Sequence, residues 1–258
     1  MALNVQKVKW GAAPESMVVG DRAFADWLLS PAARLPARSK RPGLQAVLFD
    51  LDGVLVDTAE FHYRAWQQLA DELSLPFDRH VNRNFRGVAR MACLDLLLGE
   101  HARFFALQEK VILADRKNGY YLEQVMKLGP GDVADGVRPL VHDLRDRGIR
   151  AGVVSASRNA RLVLSLLALE DSFDVVVDGN DVTRGKPDPQ GFQKAAALLR
   201  VDAERCVVVE DAEAGLRAAQ AAGMRAVGVG KFGGMPGLAG CVNEAGRLTV
   251  EMLEAAVP

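Results

Sequence analysis

Five short segments, "QAVLFD", "RAGVVS", "FDVVVD", "RCVVVE" and "RAVGVG", recur between Gln45 and Gly230, and stretches with helical periodicity separate them. Their Val-rich, uniformly apolar character is that of strands buried on both faces rather than on one. Only a parallel sheet covered by helices on each side hides both faces of every strand. The covering helices are predicted in "VRPLVHDLRDRG" with Gly148 as its C-cap, "ARLVLSLLALE", "PQGFQKAAALLR", and "AEAGLRAAQAAG" closing at Gly223. Ligands of such sheets bind beyond the carboxyl ends of the strands. The strands here end at Asp50, Ser155, Asp178 and Glu210–Asp211, so those residues are expected to converge on one site.

One interval breaks the alternation. From Thr58 to about Leu128 helical signals occur without a Val-rich strand. Asp57 and Glu60 have the D-x-x-E spacing of a capping box, and Phe61, Ala65, Leu69 and Leu73 recur at i+4 as a predicted buried stripe. "ARMACLDLLL" and "ARFFALQEKVILADRKNGYYLEQVMKL" continue the pattern. The fold class is therefore α/β, a Rossmann-like doubly wound parallel sheet with an inserted α-helical cap. The expected organisation is an N-terminal extension and linker over 1–44, a core over 45–58 and 130–258, and a cap over 59–129. Within the extension, "DRAFADWLL" is expected to form a short helix burying Phe24, Trp27 and Leu28, followed by the linker "SPAARLPARSKRPG".

Composition narrows the function. A net charge of −1 offers neither the basic field that nucleic acid requires nor a polybasic membrane patch. The N-terminal stretch lacks the apolar core of a secretory signal, and no apolar run approaches the length of a membrane span. Cys93, Cys206 and Cys241 form no CxxC pair and are expected to be buried free thiols in a reducing compartment. The expectation is a cytoplasmic monomer acting on a small molecule, with no nucleic acid and no membrane as partner.

Carboxylates at the end of a buried strand are costly unless a cation or a reaction needs them. Asp50 and Asp52 lie two residues apart and leave an extended backbone on the same face. With Glu210 and Asp211 they make four carboxylates at neighbouring strand ends, a hard-cation site suited to Mg2+. Ser155 at a further strand end and Lys186 in "TRGKPDP" add a hydroxyl and an ammonium, which together with Mg2+ would form a phosphoryl-binding pocket.

"DLDGVLVDT", "SAS", "GKPDP" and "EDAEAG", in that order, resemble the haloacid dehalogenase superfamily of phosphotransferases, over roughly Gln45 to Gly230. The resemblance implies that Asp50 is a nucleophile forming an aspartyl-phosphate and that Asp52 is the general acid/base. "DTAEFHYRAW", "GVAR", "RKN" and "SASRN" further resemble the sugar-phosphate mutases of that superfamily. By that likeness Thr58 and His62 position Asp52, and Trp66 sits beside them at the substrate. Arg90 and Lys117 reach the ligand from the cap. Ser155 and Lys186 hold the phosphate in transfer, while Ser157 and Asn159, with Ala156 and Arg158 of the same loop, hold the other. Asp50, Asp211 and the backbone carbonyl of Asp52 ligate Mg2+, and Glu210 supports or joins them. The implied reaction interconverts the 1- and 6-phosphates of β-glucose through a bisphosphate. A phosphatase of the same fold is the alternative, and a non-enzymatic sugar-phosphate sensor a distant third. Ala89 and Ala212 stand where the superfamily often carries serine, and Arg158 where a lysine is often found.

Other features have structural readings. His80, His101 and His142 lie in no motif, Tyr120 and Tyr121 are expected to pack the cap, and Asp178 and Asp181 flank Gly179 in a turn.

Overall fold

The computed structural model describes residues 43–232 and 235–257. The helix and linker expected before Gly43 lie outside these residues. The centre is a six-stranded parallel sheet of order β3-β2-β1-β4-β5-β6. Its strands are β1 (Ala46–Phe49), β2 (Arg150–Val154), β3 (Val175–Val177), β4 (Cys206–Glu210), β5 (Arg225–Val229) and β6 (Gly240–Val242). The first five fall in the five Val-rich segments. The edge strand β6 is three residues long, with only Val242 buried, so it has no apolar run to announce it.

Strand β1 shows why these segments need cover on both sides. Val47 and Phe49 point into one apolar cluster, with residues of α5 (Val137–Asp146), α6 (Ala160–Leu166) and α9 (Val250–Ala255). Ala46 and Leu48 point the opposite way, into a second cluster with α7 (Gln190–Leu199) and α8 (Glu213–Ala221). Fully burying each Val or Leu removes apolar area worth roughly 1.5–3 kcal/mol from water, so the two-sided burial dominates the stability of the sheet.

Four helices lie between β1 and α5: α1 (Ala59–Glu72), the single turn α2 (Arg79–Asn82), α3 (Arg90–Leu98) and α4 (Leu107–Val125). They share a third apolar cluster that includes Trp66, Leu69, Phe77, Phe85, Leu94 and Leu113. In α1 the stripe is partly as expected: Ala65 and Leu69 are buried, whereas Phe61 and Leu73 are half-buried. The D-x-x-E capping box does not form. The helix begins at Ala59 with Thr58 at the capping position, and Asp57 accepts only the neighbouring Ala59 N–H at 3.2 Å. Glu60 instead accepts from Arg64 and Arg79. Thr58 makes no side-chain cap bond; its hydroxyl donates to Asp52.

Two other expectations are corrected. Cys93 and Cys206 are buried, but Cys241 on the edge strand β6 is exposed, because alternate residues of an edge strand face outward. Asp178 is buried at the end of β3, yet it accepts from Asn180 N at 2.8 Å and pairs with Arg161 at 3.3 Å, serving its turn and not the acidic group at β1 and β4. Among the described residues no helix is long and apolar enough to cross a membrane.

Candidate active site

The parallel register Phe49↔Val209 carries Asp50 and Glu210 off adjacent strands side by side. Asp50 N donates to the Val209 carbonyl at 2.9 Å, which fixes where its side chain starts. Lys186 fills the gap between them. Its Nζ donates to the Asp50 carboxylate, to Glu210 Oε1 at 2.7 Å and to the Val154 carbonyl at 2.9 Å. Burial alone would lower the Lys186 ammonium, but Asp50 and Glu210 hold it above its ordinary range. Both Glu210 oxygens are engaged, the second accepting Ala212 N at 2.9 Å.

Oxygens of Asp50, Glu210 and Asp211 lie within 4.8 Å of one another, all buried. Burial raises Asp50 well above the usual carboxylate range, with Glu210, Asp211 and Asp52 adding to the shift against Lys186. Burial and Glu210 push Asp211 up to about 7. Lys186 and the half-exposed Arg86 do not fully offset carboxylates crowded this closely, and an oxygen-seeking divalent cation would supply the remaining charge. The donor set thus fits a hard metal ion, with Asp50 and Asp211 offering oxygens not taken up by a backbone donor. The approach to Asp211 depends on Gly53, whose φ of +91° suits glycine and where a Cβ would fall 2.1 Å from Asp211 Oδ2.

Asp52 has a different environment. After β1 the chain turns, with Gly53 N donating to the Val56 carbonyl at 2.7 Å. Asp52 then receives the Thr58 hydroxyl and faces His62 Nε2 at 3.6 Å. Burial would raise this carboxyl, but His62 and Thr58 hold it below its ordinary value. Two aspartates two residues apart are therefore pushed in opposite directions. The other nitrogen of His62, Nδ1, lies 3.0 Å from Lys117 Nζ, and the imidazole stacks on Tyr121 with centroids 4.1 Å apart. Burial, then Lys117, lowers His62; burial brings Lys117 down to about 7. The Lys117 ammonium also sits over the Trp66 ring at 4.8 Å.

These groups line one pocket between the helical segment and the strand ends. Of the residues singled out in the sequence, Asp50, Asp52, His62, Trp66, Arg90, Lys117, Ala156, Ser157, Arg158, Asn159 and Asp211 all border it. Thr58, Lys186 and Glu210 stand behind the wall, each bonded to a carboxylate of the cluster or to the cation it holds. Ser155 is buried at the end of β2, where its Oγ accepts Ser157 N at 3.0 Å. Ser157 Oγ in turn accepts Asn159 N at 3.1 Å, so the loop is braced by its own hydroxyls. Arg90, the first residue of α3, donates to Asn118 Oδ1 at 2.8 Å, and Asn159 Nδ2 donates to the same oxygen at 2.8 Å.

Sequence reasoning passed over three residues here. Arg86 reaches from the helical segment to Asp211 Oδ2 at 2.5 Å. Asn118 bridges α4 to the loop before α6. Tyr121, expected only to pack, is buried but also borders the pocket against His62. The basic residue next to "GVAR" and the last letter of "RKN" were the available signals. His80 and His101 are exposed, and exposed His142 faces Asp146 at 3.2 Å, all away from the pocket.

A parallel sheet of this order, with paired aspartates leaving its first strand, a lysine held between strand ends and a helical segment inserted straight after β1, defines a phosphotransferase-type fold and site. The chain belongs to the haloacid dehalogenase-like hydrolases, whose family model matches residues 44–223. It is similar to the β-phosphoglucomutase of Bacillus subtilis, with 42% identity over 212 residues covering 81% of this chain and 94% of that protein. It is also 32% identical over 188 residues to the validoxylamine A 7'-phosphate phosphatase of Streptomyces hygroscopicus, covering 72% of this chain and 85% of that one. Among solved structures, the β-phosphoglucomutase of Clostridium difficile matches with a TM-score of 0.79 at 34% identity, over 83% of this chain and 96% of that one.

Proposed function

We propose that this chain is a Mg2+-dependent β-phosphoglucomutase, interconverting β-glucose 1-phosphate and glucose 6-phosphate through an aspartyl-phosphate on Asp50 and a β-glucose 1,6-bisphosphate. The observation that carries the reading is a pocket with two separate cationic groupings. Lys186 lies just behind the wall beside Asp50, and Arg90 borders the pocket elsewhere, linked to Asn159 through Asn118 Oδ1. A hydrolase needs to hold one phosphate; a mutase that turns a bisphosphate end for end must hold two. Likeness to β-phosphoglucomutases over most of the chain supports the same reading.

In this mechanism residues 59–129 serve as the cap and 45–58 with 130–258 as the core. Asp50 and Asp211 would hold Mg2+, with the Asp52 carbonyl as a further ligand and Glu210 orienting Lys186. Held there, Mg2+ would supply positive charge to offset that of the transferring phosphoryl group. A sugar hydroxyl attacks phosphorus, the bond from phosphorus to the Asp50 oxygen breaks with its electron pair returning to the carboxylate, and the hydroxyl proton passes to Asp52. Asp52 suits that task because Thr58 and His62 keep it ionised until the proton arrives. The second phosphate rests with Arg90, Ser157 and Asn159, where a guanidinium can grip two oxygens at once. The partner is a small sugar phosphate, and the enzyme is taken to be a cytoplasmic monomer.

The test follows β-glucose 1-phosphate with Mg2+ and a trace of the bisphosphate, scoring glucose 6-phosphate against free phosphate. Formation of glucose 6-phosphate with little phosphate release is expected. Stoichiometric release of phosphate at every turnover overturns the mutase reading in favour of a phosphatase, the activity named for the Streptomyces relative.

A further inference from the structure

Asn118 is the point at which the helical segment and the sheet domain meet over the second phosphate position. Arginine carries only donors, so the Asn118 atom facing Arg90 must be its amide oxygen. Asn159 then has to present its own N–H to that oxygen, which fixes both amide orientations. Arg90 and Asn159 belong to different parts of the fold and have no direct bond to each other; one oxygen holds them together, at 2.8 Å to each. The Arg90 side chain is mostly buried, at 17% exposed, and its guanidinium pairs with the exposed Asp115 at 3.7 Å. Its charge is thus met by a neutral oxygen and by a solvated group, and stays available to an anion. Asn118 also follows Lys117 on α4, so a single helix carries the contact to His62 and the contact to Arg90.

We propose that Asn118 is the positioning residue of the remote phosphate clamp: its amide oxygen brings Arg90 and Asn159 to one point, so that closure of the helical segment assembles the clamp. The inference rests on the two-phosphate reading above. It assigns to Asn118 the work of presetting two donors whose mobility would otherwise be lost on binding. The ligand phosphate takes over the donors in place of the amide oxygen, and the exchange costs little because Asn118 is neutral. A carboxylate at this position would hold Arg90 too strongly and repel the phosphate.

The experiment titrates β-glucose 1,6-bisphosphate, and glucose 6-phosphate for comparison, into Mg2+-loaded Asp50→Asn protein by calorimetry; this background does not turn over. Adding Asn118→Ala is expected to weaken bisphosphate binding about tenfold, the worth of one hydrogen bond involving a charged group. Asn118→Asp, which keeps the side-chain volume, is expected to weaken it further. In the Arg90→Ala background the Asn118→Ala effect should fall below about twofold, because the two act as a unit. The melting temperature of Asn118→Ala, read alongside, should match that of the parent protein, so that weaker binding reports the clamp. A general loss of structure would lower both. Full additivity with Arg90→Ala, or unchanged bisphosphate affinity in Asn118→Ala, overturns the role of Asn118 alone. If the parent protein does not prefer bisphosphate over glucose 6-phosphate, the two-clamp reading fails and the role of Asn118 falls with it.

Discussion

Lys117 Nζ lies 3.0 Å from His62 Nδ1, while Nε2 of the same ring faces Asp52 at 3.6 Å. While Lys117 carries its proton it can only donate, so in that state Nδ1 accepts and the ring proton sits on Nε2, directed at Asp52. The arrangement has a cost in the fold. Lys117 is 3% exposed, and burial brings it from 10.5 in the free side chain to about 7. Between those values the unfolded chain binds the proton that the folded chain has shed, so stability rises with pH across the window. The slope is at most about 1.4 kcal/mol per pH unit, and below pH 7 the penalty is present in full. Lys117→Met is therefore expected to be more stable than wild type at pH 6, with the difference shrinking as pH rises from 7 towards 10. Urea denaturation at pH 6, 8 and 9.5 measures it, and a pH-independent difference contradicts it.

Asp50 has Lys186 on one side and the pocket on the other, the placement of a group that reacts with the ligand and is not spent on structure. Asp50→Asn preserves shape and removes the oxygen that the proposed reaction uses as nucleophile. Turnover is expected to fall by at least about a thousandfold with the circular dichroism spectrum unchanged. Labelled acetyl phosphate should modify wild type but not the variant. Near wild-type turnover by Asp50→Asn would remove Asp50 from the reaction.

Glycine positions divide sharply by what surrounds them. A Cβ on Gly215 in α8 would fall 1.7 Å from Glu210 Oε1, and Glu210 is fully buried and fixed by Lys186 and Ala212 N. Gly215→Ala cannot be absorbed by a side-chain swing, and a loss of about 3 kcal/mol is expected. Gly119 in α4 has nothing within 4 Å of its would-be Cβ, so Gly119→Ala should gain about 0.5–1 kcal/mol from helix propensity. Thermal melts of the two variants should move in opposite directions. A neutral Gly215→Ala would mean that Glu210 has room to move.

The contrast between these two glycines also shows what was legible in the sequence. Strands β1 to β5 could be read because valine runs have one stable home, a strand covered on both faces. Strand β6 could not, since an edge strand of three residues carries no such run. Asp50, Asp52, Glu210 and Asp211 stood out as carboxylates after apolar stretches. Arg86 did not, because its partner Asp211 is 125 residues away and only folding brings them together. The D-x-x-E signal at Asp57 misled for a related reason: the helix starts one residue later, with Thr58 at its capping position, and Glu60 is drawn away to Arg64 and to the distant Arg79. Asn118 adjoins the Lys117 picked out from the sequence, but its two donors come from α3 and from the loop before α6, and no local spacing reveals them.

That distant pair, Arg86 and Asp211, leads to a prediction about metal. The guanidinium of Arg86, whose side chain is 47% exposed, lies 2.5 Å from Oδ2 of Asp211, a carboxylate of the cluster that could hold a divalent cation. Two cations drawing on one carboxylate share its charge, so the helical segment and the metal are expected to compete for Asp211. Added Mg2+ is expected to raise the melting temperature of wild type, and EDTA to reverse the rise and abolish activity. Ca2+ should restore activity poorly, because it favours longer, looser coordination than three crowded carboxylates provide. Asp211→Asn should lose most of the Mg2+-dependent shift, since a neutral amide neither charges nor binds the ion as a carboxylate does. Arg86→Gln should reach its half-maximal shift at a lower Mg2+ concentration than wild type, about three- to tenfold lower for a half-exposed ion pair worth up to about 1 kcal/mol plus the charge it withholds from the site. A midpoint unchanged in Arg86→Gln would show that Arg86 and the metal use different faces of Asp211. A higher midpoint would show that Arg86 assists metal binding by holding Asp211 in place.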